Sequence, residues 1–170
     1  MFLTEYSDYS TTEGFALFAF LAVYAFVIFI FAVAGYVISS IFMSMLFTKA
    51  GVDKKWRAWV PIYNTMIFLK LGDINPWYFF VSFIPFVGNI AFLVLYVLAM
   101  YRINLKLGLN AVGYTIFGFF LGLIWLIVVA VNKAQFNPAS VPPPSWYNNI
   151  LKDNVRFNGV PNQGYVPFNS

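Results

Sequence analysis

Three long stretches of this sequence carry no charged side chain, and they constrain the fold more than any other feature. The stretches are residues 14–48, 74–101 and 107–132, which contain 35, 28 and 26 residues. Each exceeds the roughly 20 residues that an α-helix needs to cross the hydrocarbon core of a bilayer. Only 9% of all residues are charged, whereas about 25% is usual in soluble domains. The sequence therefore predicts an all-α integral membrane protein.

The residue types that are missing limit the chemistry. The sequence has no cysteine and no histidine, which excludes disulfides, thiolate or imidazole metal ligands and a histidine general base. The net charge is +4, but the basic residues form no stripe that would fit nucleic acid. We therefore expect no enzyme activity, no cofactor, no metal site and no nucleic-acid partner.

Charge and hydropathy divide the chain into three predicted parts. Residues 1–13 form an acidic tail, residues 14–132 a membrane domain, and residues 133–170 a tail rich in proline and aromatic residues. Three transmembrane helices are predicted at about 15–47, 76–101 and 111–132. Between the first two spans, residues 52–71 are too short and too polar for a span, and an interfacial or re-entrant amphipathic helix is predicted there.

Aromatic residues in that segment indicate the headgroup level of the membrane. Trp56, Trp59 and Tyr63 stand close to Lys54, Lys55 and Arg57, a mixture typical of membrane interfaces. Pro61 either breaks a helix or occupies its first turn. Asn64 follows one turn later.

The positive charges predict the orientation. Three spans place eight Lys and Arg residues on one side and two, Arg102 and Lys106, on the other, whereas four spans give six and four. By the positive-inside rule the N-terminus lies outside and the C-terminal tail in the cytoplasm. The acidic residues before the first run, and its length, favour an uncleaved span over a signal peptide.

Helix boundaries can be read from a repeated pattern. Leu-Lys-Leu-Gly occurs at residues 69–72 and again at 105–108. It predicts a helix end with lysine in the last turn and glycine in the left-handed C′ position. Asn75, which precedes a proline, and Asn110 are then predicted N-caps of the next helices.

Several residues inside the predicted spans suggest packing or function. Pro85 removes a backbone hydrogen bond, and Asn89 is the strongly polar residue nearby. Asn89 either joins helices or lines a pore at a broken helix. Gly118 and Gly122 form a GxxxG pair that serves packing within the chain or a partner. The first run is about 50 Å long as a helix, longer than the bilayer, and it carries small residues at spacings of three and four: Ala16, Ala19, Ala22, Ala32, Gly35 and Ser39.

The sequence from Lys49-Ala50-Gly51 through Val60-Pro61-Ile62-Tyr63-Asn64 to Gly108 resembles a family of small bacterial multi-span membrane proteins of unknown function. The resemblance covers roughly residues 20–132 and implies a helical fold in the bacterial cytoplasmic membrane. Some members carry an automatic signal peptidase I label. That reaction requires a serine and a lysine close together, and Ser44 and Lys49 are five residues apart, off the shared face of a helix.

The C-terminal tail contains three consecutive prolines at 142–144, followed by Trp146 and Tyr147. This pattern predicts an extended strap that docks along a surface, and we expect a partner to hold it. Together these features predict a non-enzymatic accessory subunit of a larger bacterial membrane complex, respiratory or of the cell envelope. Its partners would be lipids and other integral membrane subunits. The alternative is a homo-oligomeric channel or carrier for a small solute, lined by Asn64 and Asn89.

Overall fold

A computed structural model describes residues 2–145, 150–151, 153 and 155–160, with the backbone alone for residues 2–12. Within these ranges the chain is helical and has no strand, which confirms the predicted all-α class. The five α-helices are α1 (Phe2–Lys49), α2 (Pro61–Leu71), α3 (Val87–Lys106), α4 (Ala111–Phe120) and α5 (Gly122–Val131). Three 3₁₀ helices span Lys55–Trp59, Pro76–Phe83 and Pro138–Ser140.

The chain divides into two compact units, the first ending at Ile38 and the second starting at Ser39. The first unit belongs to α1, and its side chains from residue 13 onward are exposed except for the half-buried Ala19 and Gly35. Among the described residues two helices, Glu13–Lys49 and Val87–Lys106, are long and apolar enough to cross a membrane. By length and composition, the structure thus contains two candidate membrane helices, whereas three spans were predicted.

The second unit is built around the C-terminal half of α2. Six consecutive residues of this helix, Met66–Leu71, are buried, so neighbours surround it on every side. The core also contains fully buried residues from the other helices of the unit, among them Leu46, Phe47, Ile103, Trp125 and Val129. The predicted interfacial helix over 52–71 is therefore divided into the 3₁₀ helix and α2, with only its first part at the surface. Pro61 occupies the first position of α2, where its missing N–H costs nothing.

The predicted span 76–101 is not one helix. Residues 76–83 form a 3₁₀ helix, and the chain turns at Pro85 and Phe86 (φ 58°) before α3 begins at Val87. The Asp73 carboxylate lies 2.7 Å from the Arg102 guanidinium, although a straight helix would separate these residues by about 43 Å. The segment is a helical hairpin whose two ends meet.

The predicted span 111–132 is also divided. Leu121 (φ −128°, ψ 53°) separates α4 from α5. A Cβ on Gly118 would lie 2.8 Å from Cγ of Trp125, whereas a straight helix keeps residues seven apart at about 10.5 Å. Gly113 and Tyr114 share a cleft with Val128. The two helices therefore fold back on each other as a second hairpin.

The predicted helix ends are correct at one repeat and partly wrong at the other. Gly108 (φ 68°) takes the left-handed position after α3, and Asn75 and Asn110 accept hydrogen bonds from Trp77 N and Gly113 N as predicted N-caps. After α2, Asp73 (φ 64°) takes that position instead of Gly72. Gly72 is needed for another reason, since an added Cβ would lie 2.3 Å from Cα of Ala99 in α3.

Candidate functional site

A buried carboxylate lies where the C-terminal ends of α2 and α3 meet. Asp73 accepts hydrogen bonds from Nε of Arg102 at 2.7 Å and from Nζ of Lys106 at 2.5 Å. Asp73 is fully buried, Lys106 is 1% exposed and Arg102 is 5% exposed. With the buried pair Lys70–Asp153, at 2.7 Å, these residues are called the ionic cluster below. Burial at this depth requires that the opposite charges be paired.

Lysines at these helix ends also bind the free carbonyl groups of neighbouring segments. Lys106 Nζ donates to Leu71 O, in the last turn of α2, at 2.7 Å. Lys49 Nζ donates to Val129 O in α5 at 2.8 Å and to Asn132 O just after it. The last carbonyls of a helix lack partners within the helix and carry partial negative charge. The C-terminal end of α1 is thus joined to that of α5, and the C-terminal end of α3 to that of α2, through ammonium groups.

The described part of the C-terminal tail packs on the second unit itself. Lys70 Nζ donates to Val155 O at 2.5 Å as well as to Asp153, and Arg102 Nη2 donates to Pro142 O at 2.9 Å. Burial raises the pKa of the Asp153 carboxyl, while the Lys70 ammonium acts in the opposite direction. The predicted strap thus docks on its own chain over the described residues, where we had expected a partner to hold it. Trp146 and Tyr147, the aromatic residues singled out in it, lie outside the described residues.

A second buried polar group, neutral in charge, lies between the two hairpins. Asn104 is fully buried. Its Nδ2 donates to Thr115 Oγ1 at 3.1 Å, and its Oδ1 accepts from Trp125 Nε1 at 3.0 Å. One amide thus satisfies groups on α4 and α5 and fixes both helices against α3. Such satisfied polar groups specify which helices pack together.

These groups fit a structural role. Among the described residues, no three acidic side chains come together in a way that could hold a metal ion. The polar atoms of the ionic cluster are occupied by one another and by backbone carbonyls. Arg57 is also buried, and its Nε and Nη1 have no hydrogen-bond partner among the described residues. The cluster is therefore built to hold helix ends together.

The aromatic residues predicted for the membrane interface are at the surface of the second unit. Trp56 is 53% exposed, Trp59 45% and Tyr63 39%. The Trp56 and Tyr63 rings meet edge to face with centroids 5.7 Å apart. Asn64 is half-buried, and its Nδ2 donates to Ala58 O at 3.0 Å, which closes the turn before α2.

The residues singled out in the predicted spans have different surroundings. Pro85 and Asn89 are exposed at the turn of the first hairpin, and neither of the two described clefts is lined by Asn64 or Asn89. Gly118 is buried against Met100 and Trp125, so it serves packing within the chain. A Cβ on Gly122 would meet nothing within 4 Å. The glycine pair does not form one continuous packing face.

Sequence reasoning missed the ionic cluster and Asn104. One signal was available for the cluster, because Asp73 is the single acidic residue between Asp53 and Asp153. A lone acid between two basic helix ends needs a partner when the chain around it is apolar. Asn104 stands in an ordinary helix end, and nothing in its sequence context distinguishes it.

Fold and site together define a class, an all-helical protein with two candidate membrane helices and a buried ionic cluster at its helix ends. A family model described as a family of unknown function, DUF5684, matches residues 56–138. The predicted resemblance to a family of unknown function is thus confirmed for residues 56–138. The range contains Asp73, Arg102, Asn104 and Lys106 and leaves out α1. No curated protein matches the chain, and no solved structure matches it.

Proposed function

We propose that this protein is a non-enzymatic accessory subunit of a larger membrane assembly in the bacterial cytoplasmic membrane, and that the first unit binds other integral membrane subunits. One contrast carries the proposal. The most apolar 18-residue window of α1 has none of its residues buried, whereas the window in α3 is 39% buried. Among the described residues, the second unit pairs most of its buried polar groups and packs its own tail, whereas residues 13–38 of the first unit are exposed except for the half-buried Ala19 and Gly35.

The face with Ala32 and Gly35 supports binding to a protein rather than to lipid alone. The two residues are three apart in α1, and nothing lies within 4 Å of a Cβ built on Gly35. Small residues let helix backbones approach closely in a bilayer, where packing replaces the hydrophobic effect as the driving force for association. Lipid chains gain no comparable advantage from such a surface.

The length of α1 by itself does not require a binding partner outside the bilayer. Residues 39–49 of α1 belong to the second unit, and the uncharged part of α1 that remains in the first unit, residues 14–38, is about 38 Å long. That length is close to one tilted crossing of a core about 30 Å thick.

The engagement of the polar side chains supports a role without catalysis. Ser44 Oγ donates to Ile41 O at 2.7 Å, and Lys49 Nζ binds Asn132 and the end of α5. A nucleophilic serine would need a base within hydrogen-bond reach, and these two side chains have different partners. No observation favours the alternative of a channel lined by Asn64 and Asn89.

The test is a matched pair of substitutions on α1. Ala32→Leu lies on the face of Gly35, and Ala34→Leu makes the same chemical change about 160° away around the helix; both positions are exposed. Affinity purification of the full chain in mild detergent should recover fixed-ratio membrane partners from wild type and Ala34→Leu, with at least tenfold less from Ala32→Leu. Recovery of the wild-type chain alone, or equal loss from both variants, would overturn the proposal.

A further inference from the structure

Both hairpins of the second unit begin and end at the same place, the level of the ionic cluster. The first hairpin, residues 74–106, is closed there by Asp73 with Arg102 and by Lys106 with Leu71 O. The second hairpin, residues 111–131, follows Lys106 directly. After it, Asn132 binds Lys49 and Asn137 N donates to Lys106 O at 2.8 Å. The ends of both hairpins therefore lie together at the ionic cluster, and the turns of the hairpins point away from it.

The turns of the hairpins are apolar and exposed. Around the first turn, Phe83 is 69% exposed, Phe86 83% and Val87 74%; at the second turn, Phe120 is 76% exposed and Leu121 46%. Neither hairpin carries a charged residue between Ile74 and Tyr101 or between Leu109 and Asn132. Large exposed apolar groups concentrated in this way mark a membrane or protein contact.

Several backbone groups at both turns are hydrogen-bonded within the chain. Ile84 N donates to Val81 O and Ile90 N to Phe86 O, at 3.1 and 3.2 Å. At the second turn Leu121 N donates to Phe117 O and Leu121 O accepts from Trp125 N, at 2.9 and 2.8 Å. Within a bilayer core, backbone groups must be satisfied inside the protein. The backbone at both turns is thus satisfied in part.

The length of the second hairpin matches penetration to half depth, and the first hairpin reaches deeper, since α3 from Val87 to Arg102 is about 24 Å long. Helices α4 and α5 have ten residues each, about 15 Å, which is half of a hydrocarbon core about 30 Å thick. A second hairpin that starts at the charged end therefore ends near the bilayer centre. Lys54, Lys55, Trp56 and Trp59 are exposed in the same unit, and these residue types prefer the headgroup level.

We propose that the second unit inserts into the membrane from one side only, as two re-entrant hairpins whose apolar turns are covered by lipid acyl chains. All ten Lys and Arg residues of the chain follow residue 48, and insertion of this kind leaves them on one side of the membrane. By the positive-inside rule that side is the cytoplasm. The eight-to-two division expected for three spans becomes ten to none, with Arg102 and Lys106 inside.

The sequence has no cysteine. A single introduced cysteine is therefore the one residue that a maleimide can label, and its labelling shows on which side of the membrane it lies. The full chain would carry Lys55→Cys, Gln135→Cys or Asn110→Cys, all exposed positions, with Leu109→Cys as a second probe of the loop because Asn110 caps α4. Phe86→Cys and Phe120→Cys probe the turns. Labelling with a membrane-impermeant maleimide would be compared in inside-out and right-side-out vesicles.

Cysteines at 55, 109, 110 and 135 should all react in inside-out vesicles, at least tenfold faster than in right-side-out vesicles. Those at 86 and 120 should react in neither preparation until detergent is added. Reaction of 109 and 110 on the face opposite to 55 would overturn the proposal in favour of three crossings. Reaction of 86 or 120 in intact vesicles of either orientation would place the turns in water and also overturn it. The labelling result does not depend on the purification test with Ala32→Leu, so the two proposals can fail separately.

Discussion

The first unit and the first hairpin are alike in sequence and opposite in packing. Both contain a long run without charge, residues 14–38 and 74–101, yet the first run remains one exposed helix while the second lies in a hairpin that folds back on itself. The difference comes from what flanks the run. The hairpin has Asp73 before it and Arg102 and Lys106 at its end, and these charges meet at 2.7 and 2.5 Å. Hydropathy indicates which solvent a run prefers, and in the first hairpin the flanking charges bring the two ends of the run together.

The largest expected effect comes from removing the negative charge that closes the first hairpin. Asp73→Asn keeps the volume, and asparagine tolerates the left-handed backbone found there. It leaves Arg102 and Lys106 buried without a counter-charge. We expect the free energy of unfolding in detergent to fall by about 3–5 kcal/mol.

Glu13→Gln removes a carboxylate from the exposed first unit and provides the control, with no expected loss. Lys106→Met added to Asp73→Asn should restore part of the stability, because one uncompensated cation is then removed. A loss below about 1 kcal/mol for Asp73→Asn, the range of exposed ion pairs, would show that the ionic cluster does not hold the hairpin.

An intermediate effect is expected from one pair of glycines, one in each unit. Gly72→Ala places a methyl group 2.3 Å from Cα of Ala99, so α2 and α3 must separate, and we expect a loss of about 1–3 kcal/mol. Gly35→Ala meets nothing within 4 Å in α1. That substitution should cost no stability and favours helix by about 0.5–1 kcal/mol. Thermal unfolding followed by circular dichroism compares the two, and equal effects would contradict the packing difference between the units.

Local features of the fold could be predicted from the sequence. Proline at 61 and 85, asparagine at 75 and 110 and glycine at 108 each act through their own backbone and nearest neighbours. Their positions therefore follow from short-range chemistry, and the structure has a helix start, a helix end or a turn at each of them.

Long-range features could not be predicted. Asp73 meets residues 29 and 33 positions later in the sequence, and no local pattern specifies such a pair. The bend at Leu121 has no proline, and Trp125 packs there against Gly118 and bonds to Asn104 on another helix. Gly72 does lie at the predicted end of α2, but its close contact with Ala99 depends on how α3 packs. The candidate site consists almost wholly of such contacts, which explains why sequence reasoning missed it.

The smallest expected effect concerns the pair that holds the tail, and it appears as a dependence on pH. Because burial raises the pKa of the Asp153 carboxyl, the folded chain keeps this proton to higher pH than the unfolded chain does. The contribution of the group to stability is then full below about pH 4, and it is lost as pH rises through the folded-state pKa. If the attraction to Lys70 outweighed burial, the contribution of Asp153 to stability would instead increase as pH rises.

Asp153→Asn retains the size of the side chain and cannot titrate. The unfolding temperature of wild type minus that of Asp153→Asn should therefore decrease between pH 4 and pH 7, while Asp53→Asn, at an exposed position of the same unit, controls for the removal of one negative charge. A difference that increases with pH would mean that the Lys70 ammonium dominates at Asp153. The Lys70–Asp153 ion pair would then stabilise the tail at neutral pH, as the ion pairs of Asp73 stabilise the first hairpin.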